Sequence, residues 1–405
     1  MRTENINNTK FTGVMPLSSG LNAASKIISI QEGGAGLSHV KFFQDTMTGL
    51  APKAVFARSK ADLAENSFLE LSESLLVYYC PTLLGENIFR KIYSKGLNSN
   101  LNKKISTPAA ELLKNKSLDN KKLMPVKAAL ALSSFAIPLI EFTLNYIKNL
   151  MTLKVFKQGN FDNIANLDKS NKKDAELNKR VEKSAKKNIF RAASVYAGCL
   201  LSSALLVKKG HNSKFLQNVS EMILAPGTKL FKKYQKRANF FNKFFSLDFA
   251  DNNGKLTMSK GQLTSCVLVG GAGYFGASKD RGKQNFLETL FRFPLVGFYI
   301  ISGNELLEKG FKKLLYKTGK CKDLVKKDLN VPKLNDLEKV TKSIIKERGG
   351  NYDALYKKLL KQKLFIASVP MLFGIGVMGF FIAGTSNLFT KYRYNKEKTL
   401  QNGKN

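Results

Sequence analysis

The sequence is poor in the residue types on which most catalytic and metal chemistry depends. Histidine occurs only at His39 and His211, far apart, so neither has the paired spacing of a metal site. The four cysteines, Cys80, Cys199, Cys266 and Cys321, include no C-x-x-C pair, and Cys199 and Cys266 lie in apolar stretches. That pattern excludes a disulfide framework and a cysteine zinc site. Acidic residues number 30 against 66 basic ones, and only ten of the basic residues are arginine. Arginine makes most bidentate contacts to bases, so a lysine surplus suits diffuse attraction to phosphate better than sequence readout. The first twenty residues hold no apolar run. No cleavable signal peptide is therefore expected, and insertion into a bilayer would depend on internal helices. No catalytic residue, cofactor or metal is assigned.

What is abundant is charge of one sign together with apolar surface. The net charge is +36, yet 43% of the 405 residues are hydrophobic, too many for a disordered polycation. The two are segregated along the chain. Residues 1–127 carry +7, 148–191 +7, 208–262 +8, 309–363 +11 and 391–405 +4, whereas 192–207 and 263–308 sum to zero and 128–147 to −1. A bilayer imposes this alternation, because lysine is costly in hydrocarbon and favourable beside anionic headgroups. The competing reading is a soluble nucleic-acid binder whose apolar segments are core helices.

The strongest apolar segment is 364–390, with 27 uncharged residues between Lys363 and Lys391. As a helix it would be about 40 Å long, more than the ~30 Å hydrocarbon core requires. Pro370 and its glycines are tolerated within a membrane, where small residues allow close helix packing. Segment 128–147 is the next candidate and contains Pro138, Glu141 and Asn145. Segments 192–207 and 263–277 have 16 and 15 uncharged residues, short of the roughly 17–25 needed to span, and 293–303 is shorter still. Every long polar stretch is basic, so the positive-inside rule leaves orientation open.

The chain also resembles itself. VFARSKADLAENSFLE from Val55 and YFGASKDRGKQNFLE from Tyr274 share F-x-x-SK and then FLE, with Phe68 and Phe286 offset by 218 residues. Gly85 and Gly303 keep that offset, and Phe89-Arg90-Lys91 answers Phe311-Lys312-Lys313. KKLMPVKAALA from Lys121 then matches KKLLKQKLFIA from Lys357, each opening a long apolar segment. A weaker third copy runs from Phe215, with KLTMSKGQL from Lys255 resembling KLMPVKAAL from Lys122. Each unit reads as a half-buried helix, a basic exit and an apolar helix that cannot bury its face alone, so the copies should pack on each other. Such repeats occur in secondary transporters and equally in inert scaffolds. The P-x-[DE]-x-x-[KR] signature of three-repeat mitochondrial carriers is absent: Pro81, Pro138 and Pro294 are followed by other residues.

Two motifs imitate ligand sites. Gly271, Gly273 and Gly276 form G-x-G-x-x-G, but no βαβ pattern follows, and Gly374, Gly376 and Gly379 repeat the match inside the strongest apolar segment. Segment 249–260 resembles a calcium loop, except that Phe249 and Lys260 occupy its first and twelfth ligand positions, so it reads as a turn. One carboxylate, Glu141, stands in segment 128–147. An acid at bilayer depth is a functional candidate; the alternative is that it reaches the interface near a helix end.

These features predict an all-α, helical integral membrane protein with internally repeated helical units and Lys-rich loops. The expected segments are a polar or amphipathic 1–54, a first repeat 55–147, a basic linker 148–191, a central region 192–277, a second repeat 274–390 and a basic tail 391–405. The expected role is non-enzymatic: membrane organisation, or attachment to an anionic partner through basic loops. A repeat-built transporter or channel is the second class, and a peripheral phosphate- or nucleic-acid-binding protein the third. The expected partners are the lipid bilayer and its anionic lipids, with nucleic acid behind them. The expected location is the cytoplasmic membrane of a bacterium.

Overall fold

The computed structural model describes residues 28, 34–82, 120–168, 174–248, 250–252 and 255–402. The described elements are helical apart from one short antiparallel ribbon, in agreement with the all-α expectation. They divide into two compact units, one of Met1–Leu37 with Glu305–Leu372 and one of Ser38–Asn304 with Phe373–Asn405.

In the larger unit the chain forms α1 (Gly34–Val55), α2 (Lys60–Thr82), α3 (Asn120–Ser134) and α4 (Ala136–Phe156). A short α5 (Phe161–Ile164) leads to the long α6 (Ala175–Lys209). Three small helices follow, α7 (Lys214–Leu224), α8 (Pro226–Leu230) and α9 (Gln235–Phe245), then the ribbon of β1 (Ala250–Asn252) and β2 (Lys255–Thr257). The last pair is α10 (Lys260–Asp280) and α11 (Lys283–Phe298). The ends follow ordinary capping chemistry. Asp174 accepts the Leu177 N–H to start α6, and Ser259 and Gln262 form a reciprocal capping box at α10. Between α3 and α4, Pro138 lacks the N–H that would reach the Ser134 carbonyl, and the helix breaks at Phe135.

Helix α4 is the centre of this unit, packed by α2, α6 and α10. Leu69 and Leu76 of α2 meet Ile137 and Leu144 of α4 and Cys266 of α10, all buried. On another side Tyr146 of α4 packs with Ala185 of α6 and Ala277 of α10. The α4–α10 contact explains the glycine motif: Gly271, Gly273 and Gly276 are interior residues of α10, not a phosphate loop. A Cβ at Gly273 would lie 2.5 Å from the Phe142 carbonyl oxygen, so only glycine allows this approach.

The smaller unit changes how the 309–363 block is read. Expected as a Lys-rich loop, it is instead built of α12 (Asn304–Lys317), α13 (Leu337–Arg348) and α14 (Tyr352–Phe373) around its own core. Leu324, Leu337, Leu359 and Leu360 are fully buried there, each contributing about 1.5–3 kcal/mol by leaving water. Tyr356, Leu359, Leu360 and Ile366 share one face of α14, while Lys358 and Lys361 are exposed on the other. Net charge per block hides this 3.6-residue stripe. Likewise the basic 148–191 stretch is not a loop: it is the end of α4, α5 and the first turns of α6, with 169–173 outside the described residues.

Segment 364–390 is helical throughout. It continues from α14 through a π-helical stretch, Gly374–Phe381, into α15 (Ile382–Asn402). Pro370 removes one i→i−4 bond, and the glycines that follow lower the cost of the wider turns. Among the described residues four helical runs are long and apolar enough to cross a membrane: Met124–Phe156, Ala175–Asn212, Lys283–Lys317 and Tyr352–Gln401. The expectation that 192–207 and 293–303 are too short is therefore revised, because flanking turns extend each uncharged run into a longer helix. Segment 263–277 stays within α10, outside these four runs.

The third copy does not hold its element type. Lys255 begins a strand, whereas Lys122 lies in α3. Phe68 and Phe286 both lie on helices, as do Lys121 and Lys357, while Gly85 and 89–93 are outside the described residues.

Candidate functional site

Two arginines, each two residues ahead of a helix, organise the buried charge of the larger unit. Arg281 precedes α11, and its guanidinium reaches across to α2, where Nη1 and Nη2 donate to Glu65 at 2.9 and 2.8 Å. Arg58 precedes α2, and its guanidinium reaches across to α11, where Nη1 and Nη2 donate to Glu288 at 2.8 and 3.2 Å. The two contacts are reciprocal: each helix supplies the carboxylate for the arginine that introduces the other.

The surroundings of each pair are polar and well satisfied. Around Arg281, the Asn149 Oδ1 and the Gly159 carbonyl accept further bonds at 3.2 and 3.3 Å, and Thr152 donates its hydroxyl to Glu65. Asn149 also donates to the Ala277 carbonyl at 3.0 Å, tying α4 to the end of α10. Around Arg58, Asp62 accepts from the guanidinium and the backbone N–H at 3.0 Å each, and the ring of Phe161 lies 5.1 Å beneath. Arg292 approaches Glu288 at 3.5 Å, and Asn387 of α15 donates to the Phe56 carbonyl at 2.8 Å. The Arg281–Glu65 side chains are 1% and 6% exposed, so the pair is out of bulk water. Burial disfavours charge at Arg58, but Glu288 and Asp62 outweigh it and raise its pKa. Burial alone would raise the Asp62 carboxyl, yet Arg58 beside it holds it below the usual range.

Charge extends from these pairs. Lys53 pairs with Glu70, and Lys148 lies over the Tyr274 ring at 5.5 Å, within the field of Glu73. Lys53, Arg58, Lys148, Arg281 and Arg292 thus stand among Asp62, Glu65, Glu70, Glu73 and Glu288. Net charges summed over blocks of sequence do not show which of these residues meet. A sequence signal does exist. Arg58-x-Lys60-x-x-Leu63-x-Glu65-x-x-Phe68 and Arg281-x-Lys283-x-x-Phe286-x-Glu288-x-x-Phe291 match at an offset of 223 residues.

Glu141 lies elsewhere. It projects from α4 toward α10, where the Cys266 thiol donates to it and Gly270 leaves room for its carboxylate. The helix continues fifteen residues beyond it to Phe156, so Glu141 is not at a helix end. His211 closes the turn after α6, and His39 lies on α1. Among the described residues no cluster of three or more His, Cys, Asp or Glu side chains has metal-holding geometry.

At the edge of the centre Asp162 is pushed up to about 6, first by burial and then by Asp168 and Glu397. Its folded pKa lies above the ordinary ~4. Its contribution to stability is therefore fully present below about pH 4 and lost as pH rises through about 6. Asp162→Asn should remove that slope and modestly raise the melting temperature at pH 7.5 but not at pH 4, solvent screening keeping the gain small. Thermal melts of both proteins in one detergent at the two pH values test this; equal shifts at both would refute the assignment.

The fold and the centre define a helical protein with, among the described residues, four runs of membrane-spanning length and a buried cluster of ion pairs. No family model, curated protein or solved structure matches the chain.

Proposed function

We propose that this chain is a non-enzymatic integral membrane protein, held by its long helices, that organises a membrane or attaches it to an anionic partner through basic surfaces. The observation that carries this reading is the outward apolar face of α6. Phe190, Leu201 and Leu205, on one side of the helix, are 73, 74 and 46% exposed, as large side chains in water rarely are in such a row. Leu295 and Phe298 of α11 and Leu388 of α15 add to it. Lipid satisfies such faces, and the exposed Lys358 and Lys361 suit an anionic neighbour. The expected setting is a bacterial cytoplasmic membrane.

The repeat belongs to this proposal, with its register moved. The crossed pairs favour an offset of 223 over 218, which matches Phe68 with Phe291 instead of Phe286. The long helices keep the relation: Asn149-Leu150-Met151-Thr152 of α4 answers Asn387-Leu388-Phe389-Thr390 of α15 at an offset of 238. Both asparagines donate to a carbonyl a few residues ahead of one of the two arginines, Asn149 to Ala277 and Asn387 to Phe56. Close helix crossings recur as well: Gly273 meets Phe142, and Gly379 meets Thr48, where a Cβ would lie 2.6 Å from the carbonyl oxygen. A transporter built on two such copies is the second reading, favoured by the buried ion-pair centre they share.

Carbonate extraction of membranes is the test. The protein should stay in the pellet, and the exposed-face change Leu201→Lys should lower retention, since lysine at mid-span costs roughly 2.5–3.5 kcal/mol. Release of the unaltered protein into the supernatant would overturn the membrane reading in favour of a soluble phosphate- or nucleic-acid-binding protein.

A further inference from the structure

We propose that α8 and α9 form an interfacial anchor that lies on an anionic lipid surface; this rests on the membrane reading above. The segment 229–245 carries six basic residues and no acidic one. It follows α6 and α7, and α6 ends its apolar run with Lys208 and Lys209, so the chain is placed beside the bilayer exit of a candidate spanning helix.

The helix α9 shows how the face is built. Its inner side is fixed to the protein: Ala238 is buried, and the Asn242 side chain accepts the Gly227 N–H at 2.6 Å and donates to Thr228 at 3.2 Å. Phe231 and Phe241 pack against each other at 5.5 Å. This leaves Lys236, Phe240 and Lys243, spaced i, i+4, i+7, on one outward face, all exposed, with Phe240 at 67%. Tyr234 is 58% exposed and stacks under Arg237 at 4.8 Å. Aromatic rings between lysines gain little from water or from a purely electrostatic partner. At a headgroup boundary the rings enter the acyl edge while the amines reach phosphate, so both halves of the face are used. A nucleic acid would use the charge but leave Phe240 without a flat, stacked partner unless single strands were present. The lipid surface is thus the favoured occupant.

The chain contains no tryptophan, so a single introduced one reports on its own surroundings. Phe240→Trp and, separately, Leu201→Trp on α6 would be placed in the full-length protein in vesicles of phosphatidylcholine with or without phosphatidylglycerol. Quenching by shallow and deep brominated lipids and by aqueous acrylamide is then measured. The expected result is shallow-lipid quenching of the Phe240→Trp protein, stronger in anionic vesicles, with deep-lipid quenching of the Leu201→Trp protein. Charge reversal by Lys236→Glu and Lys243→Glu should abolish the anionic preference, with on the order of fivefold lost per charge. Helical circular dichroism checks that these variants fold. If Trp at 240 is open to acrylamide while Trp at 201 is lipid-shielded, the anchor is refuted and the membrane reading stands. If both are open to acrylamide, the membrane reading fails first. If Trp at 240 is shielded by added RNA but not by anionic lipid, the surface is a nucleic-acid site and the anchor is overturned.

Discussion

Replacing Arg281 with alanine is expected to cost about 3–5 kcal/mol, because it strands the buried Glu65 carboxylate without its bidentate partner. Arg281→Lys should recover little, since one ammonium cannot reproduce two parallel bonds, the bond to Asn149 and that to the Gly159 carbonyl. The crossed arrangement makes a sharper demand. Arg281→Glu with Glu65→Arg should recover part of the loss, as should Arg58→Glu with Glu288→Arg. Arg281→Glu with Glu288→Arg should recover none. Thermal unfolding in detergent, read as double-mutant cycles, tests all three. Equal recovery in the mismatched combination would mean that only overall neutrality matters and that the specific pairs do not exist. The Arg58 pair should show the smaller loss, because Arg58 is 15% exposed where Arg281 is 1%.

Gly273→Val is the second large expected effect. The new Cβ alone would lie 2.5 Å from the Phe142 carbonyl oxygen and 2.8 Å from its Cα, both backbone atoms that cannot rotate away. Helix α10 must then separate from α4, at a cost of about 1–3 kcal/mol or more for overpacking. The separation also moves Ala277, whose carbonyl receives Asn149, so it should loosen the Arg281 centre. Gly198→Ala on α6 is the control: nothing lies within 4 Å of a Cβ there, and alanine favours helix, so stability should hold or rise slightly. A melting temperature that falls equally for both would show that helix α10 is not packed through Gly273.

Much of the helical architecture was legible from residue order. The 27 uncharged residues of 364–390 and the poverty of His and Cys follow from local composition, whereas the strands Ala250–Asn252 and Lys255–Thr257 were not expected. The glycine motif was rejected as a cofactor loop for want of a βαβ context, but its packing role needed the Phe142 backbone opposite it. Glu141 was legible as the one acid of an apolar segment, but its neighbours, Cys266 and Gly270, come from a helix more than a hundred residues away.

The sequence by itself determined that the chain is helical and that apolar and basic stretches alternate. These are properties of neighbours along the chain, set by 1.5 Å steps and 3.6-residue turns. Only the tertiary structure decided that the Lys-rich 309–363 block folds around a core and that charges of 263–308 pair with charges of α2 and the turn before it. It also decided which charges meet, because an ion pair such as Arg58–Glu288 joins residues 230 positions apart. A running sum adds only neighbours along the chain, so the pairing of charges from distant segments is visible only where the helices cross.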